Sequence, residues 1–156
     1  MKKNNGFALI EIIIGAAIIS LGVLAIVNAF NTYVRYAFTN QYNIQTAYVL
    51  EEGVEVMRFF RDNGWTSNIQ GFSTTTTYYL AFNSTWATTT TPQYVDGRFL
   101  RSVTVSDVKR NGNDEIDTVG TYDPNTKRIT VTVEYADRSA TTTRTLSAYI
   151  SNIYNN

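Results

Sequence analysis

An α+β fold is predicted, with one long N-terminal α-helix packed on an antiparallel β-sheet. Three observations predict it. An apolar run, FALIEIIIGAAIISLGVLAIVNAF, fills residues 7–30, with Glu11 its only charge. Apolar residues then recur every three or four positions as far as Met57, the spacing that lays one stripe along a helix. From residue 97 onward they alternate with polar residues instead, which is the period of a half-buried strand.

The first six residues are a short polar segment holding Lys2 and Lys3, and no Asp, Glu, Lys or Arg occurs from Ile12 to Val34. A helix needs about 20 apolar residues to cross a bilayer core, so the first half of the helix is long enough to span. Basic residues precede the run and none follows before Arg35. The positive-inside rule then puts the N-terminus in the cytoplasm and residues 35–156 outside. The run is too long for the apolar core of a secretory signal. A plain anchor explains its length and direction but not Glu11. A carboxylate costs roughly 2.5–3.5 kcal/mol at mid-bilayer and less near the interface, so it points to function.

The helix is expected to continue to about residue 62. Tyr33, Val34, Phe38, Tyr42, Ile44, Ala47, Leu50, Val54 and Met57 form the stripe, and Arg35, Gln41, Gln45, Glu51, Glu52 and Glu55 oppose it. Asp62-Asn63-Gly64 supplies a helix stop. Gly53 falls inside this helix, where glycine costs about 1 kcal/mol relative to alanine. Residues 65–95, with threonine runs at 74–77 and 88–91, read as exposed loops around one short strand at 78–83. Asn83-Ser84-Thr85 is a glycosylation sequon that three-residue chance matches also produce. Beyond them, Phe99, Val103 and Val105 form one strand pattern, Ile129, Val131, Val133 and Tyr135 a second, and Thr141–Ile150 a third. Asn111-Gly112 and Asp123-Pro124-Asn125 are read as turns between the strands. Residues 63–156 are therefore expected to form a β-rich extracytoplasmic head.

Gly6-Phe7-Ala8-Leu9-Ile10-Glu11, preceded by lysines and followed by an apolar helix, resembles the prepilin peptidase site of type IV pilins and type II secretion pseudopilins. The resemblance implies a leader of residues 1–6, cleavage after Gly6, and Phe7 as an N-methylated mature N-terminus. It implies that residues 7–30 are a transmembrane and filament-core helix and residues 31–62 its amphipathic continuation. Glu11 matches the family's acidic residue at the fifth mature position. There it would pair with the Phe7 ammonium of its own chain or of a neighbour. Because a buried carboxylate without a partner is costly, such a pair penalises wrong register more than it adds affinity. Gly15, Ala16, Ala17, Ser20 and Gly22 are small residues that let spanning helices approach closely, though small residues are common in membrane helices generally. The chain departs from many pilins in lacking a proline near the end of the apolar stretch, since its two prolines are Pro92 and Pro124. The run YDPNTKRITVTVEY followed by TLSAYISN also looks like the C-terminal half of minor-pilin-like proteins.

Composition removes several other chemistries. The chain has no cysteine and no histidine, which excludes disulfides, thiolate or imidazole metal sites, and His-based triads. The 13 basic and 13 acidic residues balance, so no nucleic-acid partner is indicated. Asp107, Asn111, Asn113, Asp114, Glu115 and Asp117 gather around Gly112. Such oxygens are candidate Ca²⁺ ligands, and an ordinary solvated turn uses the same residue types. Glu51, Glu52 and Glu55 read as a solvated or subunit-facing edge with Arg58 and Arg61 in ion-pair range, rather than as a catalytic carboxylate pair.

The expected function is thus that of a non-enzymatic subunit of a type IV pilus or a related secretion or DNA-uptake filament. Its partners would be prepilin peptidase/N-methyltransferase, inner-membrane assembly machinery, and copies of itself or other pilins. It would sit in the inner membrane before assembly and at the cell surface afterwards. The alternative is a single-pass membrane-anchored extracellular binding or adhesion module that does not polymerise.

Overall fold

A computed structural model describes residues 5–137 and 140–154, with side chains described from Leu9 and not at Asp137. Residues 1–4 of the expected leader, residues 1–6, lie outside the described residues. The chain forms two compact units, residues 1–43 and 44–156. One α-helix, α1 (Asn5–Asp62), contributes to both.

In the first unit the helix carries an almost wholly exposed apolar surface. Ile12 is 71% exposed, and no residue from Leu9 to Asn43 is buried. Two hydroxyls in this stretch bond back to the preceding turn, Ser20 Oγ to the Ala16 carbonyl at 2.7 Å and Thr32 Oγ1 to that of Asn28 at 2.9 Å. Satisfied this way, they do not oppose transfer to an apolar medium.

The second unit is the α+β body. Its helical part ends where the sequence signals a stop, the Asn63 amide closing on the Phe59 carbonyl and that of Gly64 on Arg61. A short helix, α2 (Trp65–Asn68), follows. Among the described residues seven strands come next: β1 (Tyr78–Asn83), β2 (Thr85–Thr89), β3 (Tyr94–Val95), β4 (Phe99–Arg110), β5 (Ile116–Asp117), β6 (Thr121–Asp137) and β7 (Ala140–Ser151). All pairings are antiparallel, in the order β2-β1-β4-β6-β7. One edge of β4 is taken by β6, and the other piecewise by β3, β1 and β5.

Alternation decides the two sheet faces. Phe99, Val103 and Val105 of β4 and Ile129, Val131, Val133 and Tyr135 of β6 are buried, and the helix sets Val49, Leu50, Val54 and Met57 against them. The opposite face is rich in hydroxyls. Thr104 stands opposite Thr130, and Thr130 opposite Ser147 with a 2.9 Å hydroxyl contact. Such cross-strand pairs hold register without burying apolar surface.

Three expectations require correction. The helical stripe is buried only from Thr46 onward; Tyr33, Phe38, Ile44 and Ala47 are exposed, because the contacts that bury helix side chains lie within the second unit. Residues 65–95 hold α2 and three strands rather than one, and Thr88 and Thr89 lie in β2 instead of a loop. A tight hairpin pairs them with Leu80 and Tyr79. Asp123-Pro124-Asn125 is not a turn between strands but a bulge inside β6. The register jumps there from Asp107↔Lys127 to Val108↔Asp123. A bulge tolerates proline's missing donor, and the freed carbonyls are used: Pro124 accepts the Trp65 indole N–H at 3.3 Å and Asn125 the Asn152 amide at 2.9 Å.

Gly53 has its explanation in the same packing. A Cβ there would stand 2.7 Å from Val131 Cγ1 and 3.2 Å from Arg101 Cδ. Val131 is buried and β-branched, with little room to turn. Alanine would gain about 1 kcal/mol of helix propensity, but overpacking a filled core costs about 1–3 kcal/mol, so the clash wins. Gly53→Ala is expected to lower the unfolding midpoint. Adding Val131→Ala should recover part of the loss, so that the double variant is more stable than the sum of the single losses in a double-mutant cycle.

Candidate functional site

Helix geometry sorts the N-terminal candidates. At about 100° per residue, Glu11, Gly15 and Gly22, spaced four and then seven apart, lie on one narrow face of α1, and Ala29 continues it. Ala16 and Ser20, one turn apart, lie on another. Nothing stands within 4 Å of a Cβ built at Gly15 or Gly22. Glu11 therefore shares one helix face with the two glycines. The α1 backbone includes Gly6 and Phe7, but their side chains, like the rest of residues 1–8, lie outside the described set.

An 18-residue stretch of this helix is apolar enough to cross a membrane and none of it is buried. That separates it from the core helix of a soluble domain, which would hide its apolar side chains. It is a membrane-anchoring segment.

The oxygen-rich loop is organised by internal partners. Asp107 pairs with Lys127 Nζ at 2.5 Å. Asn111 Oδ1 accepts the amides of Asn113 and Glu115 at 2.9 and 3.1 Å. Asp114 is 87% exposed and lies 3.6 Å from Arg110 Nε. Asp117 Oδ1 accepts the amides of Val119 and Thr118, which hold its carboxyl below the usual range. Among the described residues, no group of three or more Asp or Glu stands close enough to hold a metal ion.

Two charges behind this loop are tied into the fold. Burial raises the Asp123 carboxyl, but hydrogen bonds from Arg110 at 2.7 Å, Thr126 and the Asn125 amide outweigh it and leave it low. Burial lowers the Lys127 ammonium, but Asp107 and the Tyr122 hydroxyl outweigh it and leave it high. A depressed carboxyl stabilises the fold above its unfolded value of about 3.9, and that stabilisation is lost as pH falls through the folded value. A raised ammonium stabilises below about 10.5 and loses its contribution as pH rises through the folded value. Unfolding midpoints should therefore fall at both extremes. Asp123→Asn should flatten the acid limb and Lys127→Met the alkaline limb in thermal scans across pH.

Sequence reading missed Arg101. It occupies an inward position of β4, between Phe99 and Val103, and is 2% exposed. Its guanidinium pairs with Glu52, donates to the Val49 carbonyl and lies over the Trp86 ring at 5.4 Å. The signal was an arginine in the buried phase of an alternating strand, which demands an acidic partner. Of Glu51, Glu52 and Glu55, Glu52 is that partner, while Glu55 pairs with Arg58 at 2.5 Å.

Residues 1–27 match the family described as the prokaryotic N-terminal methylation motif. No curated protein and no solved structure matches the chain. The matched stretch covers Gly6, Phe7, Glu11 and the small residues through Gly22. The matched motif leads directly into a membrane-anchoring helix, and the same helix ends packed on an antiparallel sheet, an arrangement similar to that of pilins and pseudopilins.

Proposed function

We propose that the chain is a subunit of a type IV pilus or a related secretion or uptake filament. The observation that carries the reading is the coincidence of Glu11, Gly15 and Gly22 on one face of a helix that opens with the methylation motif. In this reading, Lys2 and Lys3 keep the leader in the cytoplasm. The peptidase removes residues 1–6, and Phe7 is methylated as the new N-terminus. Neighbouring apolar helices then approach across the glycine face, and each Glu11 is neutralised by a Phe7 ammonium. The β-rich unit of residues 44–156 would face outward. Partners are the peptidase/methyltransferase, the inner-membrane assembly machinery, and copies of this or other pilin-like chains. Before assembly the chain resides in the inner membrane, and afterwards at the cell surface.

N-terminal sequencing of the chain recovered from sheared filaments tests this. A mature chain beginning with N-methylated Phe7 is expected. Filament-borne chain beginning at Met1 would remove the processing step, and no chain in the filament fraction would remove assembly.

A further inference from the structure

An open cleft of about 530 Å³ lies within the second unit, where the last turn of α1, the segment after α2 and the β1–β2 hairpin meet. Four aromatic side chains line it: Phe60, Phe72, Tyr78 and Trp86. All four are half-buried, so each is anchored and still presents surface. Ser67, Asn68 and Thr88 supply hydroxyl and amide groups, and among the described residues no charged one lines the cleft.

Its walls are fixed from behind. The Trp86 indole rests on the buried Arg101 guanidinium, which Glu52 and the Val49 carbonyl hold in place. Phe72 meets Tyr78 edge-on at 4.6 Å, and the Tyr78 hydroxyl accepts the Ser73 amide at 3.0 Å. Trp65 and Ile69 are buried and pin the α2 wall. Next to the cleft, Phe82 lies 5.1 Å from Trp86 and is 64% exposed, which extends the aromatic surface into solvent.

We propose that this cleft binds a neutral oligosaccharide. Aromatic faces suit the apolar C–H faces of sugar rings, and rigid rings lose little entropy on binding. Neutral hydroxyl and amide side chains match sugar hydroxyls. An anionic or cationic ligand would find no counter-charge along the lining. A cleft of this size that opens to solvent admits a chain as well as a single ring. This assignment does not depend on whether the protein polymerises.

Calorimetric titration of the full chain in phosphatidylcholine nanodiscs tests the site, since sugar-headed detergents would compete. The probes are cellotetraose, chitotriose and maltotetraose, with a hyaluronan tetrasaccharide and a proline-rich peptide as the acidic and peptide arms. At least one neutral probe should give saturable binding. Gly71 lines the cleft and has open space where a Cβ would stand, so Gly71→Gln should block binding without moving the unfolding midpoint. Trp86→Ala should weaken binding about tenfold, the scale of one lost aromatic contact. Tyr94→Ala, an exposed aromatic outside the cleft, should change nothing. Failure of all three neutral probes, binding that survives Gly71→Gln, or binding confined to the acidic or peptide arm would overturn the assignment.

Discussion

Glu11→Ala should leave the chain in the membrane at normal or higher levels and remove it from filaments. The two halves of this result have one cause. For a single helix in lipid, the Glu11 carboxylate is a cost of roughly 2.5–3.5 kcal/mol at mid-bilayer, smaller near the interface, so alanine eases insertion. In a packed array the same carboxylate is tolerated only in the register that brings it to a neighbour's Phe7 ammonium. A charge buried without its partner costs about 3–5 kcal/mol, which separates correct from shifted registers far more sharply than apolar contact can. Alanine removes that penalty along with the attraction, leaving an exposed apolar helix that packs in many registers. A tenfold or greater fall in the sheared-filament fraction is expected, equivalent to about 1.4 kcal/mol or more per subunit. Glu11→Gln should be intermediate, because it keeps a hydrogen-bond acceptor without the charge. Immunoblots of membrane and filament fractions measure both halves. Normal filament yield from Glu11→Ala would favour the anchored module that does not polymerise.

How much of this was legible in the sequence depended on whether the signal was local. The long helix, its stop at Asp62-Asn63-Gly64 and the strands around Val103, Val131 and Leu146 followed from period and turn chemistry, which neighbouring residues set among themselves. The Gly6-Phe7-Glu11 pattern was legible for the same reason. The misread features depend on partners distant in the chain. Whether the stripe at Tyr33, Phe38 and Ile44 is buried depends on where along the helix its packing partners begin, and nothing in residues 31–45 records that. Asp123-Pro124-Asn125 has turn composition, yet pairing with β4 on both sides of it, and the Trp65 indole, draw it into a bulge of one continuous strand. Gly53 looked like a defect in the helix until Val131 supplied the reason for it. The aromatic cleft collects Phe60, Phe72, Tyr78 and Trp86 from a helix, a loop and two strands, so no sequence spacing announces it.

The Arg101–Glu52 pair yields the second large effect, and its two members should behave unequally. Arg101 is 2% exposed while Glu52 is 47% exposed. Removing the glutamate leaves a buried guanidinium with one carbonyl and one ring for company, and its Nε already lacks a partner. Losing one side of a buried pair typically costs about 3–5 kcal/mol. Here the site opens to water on the Glu52 side, so Glu52→Ala should cost about 2–3 kcal/mol. Removing the arginine instead leaves a carboxylate that water already reaches. Replacing a buried ion by an apolar side chain of similar volume is often neutral or stabilising, so Arg101→Met should cost less than about 1 kcal/mol. Denaturant unfolding of the two variants should rank Glu52→Ala as clearly the less stable. A greater loss from Arg101→Met would mean that the pair contributes net attraction rather than relief of a buried charge. Arg101→Met also removes the cation beneath Trp86. If that contact holds the ring in place, oligosaccharide affinity should fall in this variant although the fold is kept, separating the arginine's part in the cleft from its part in stability.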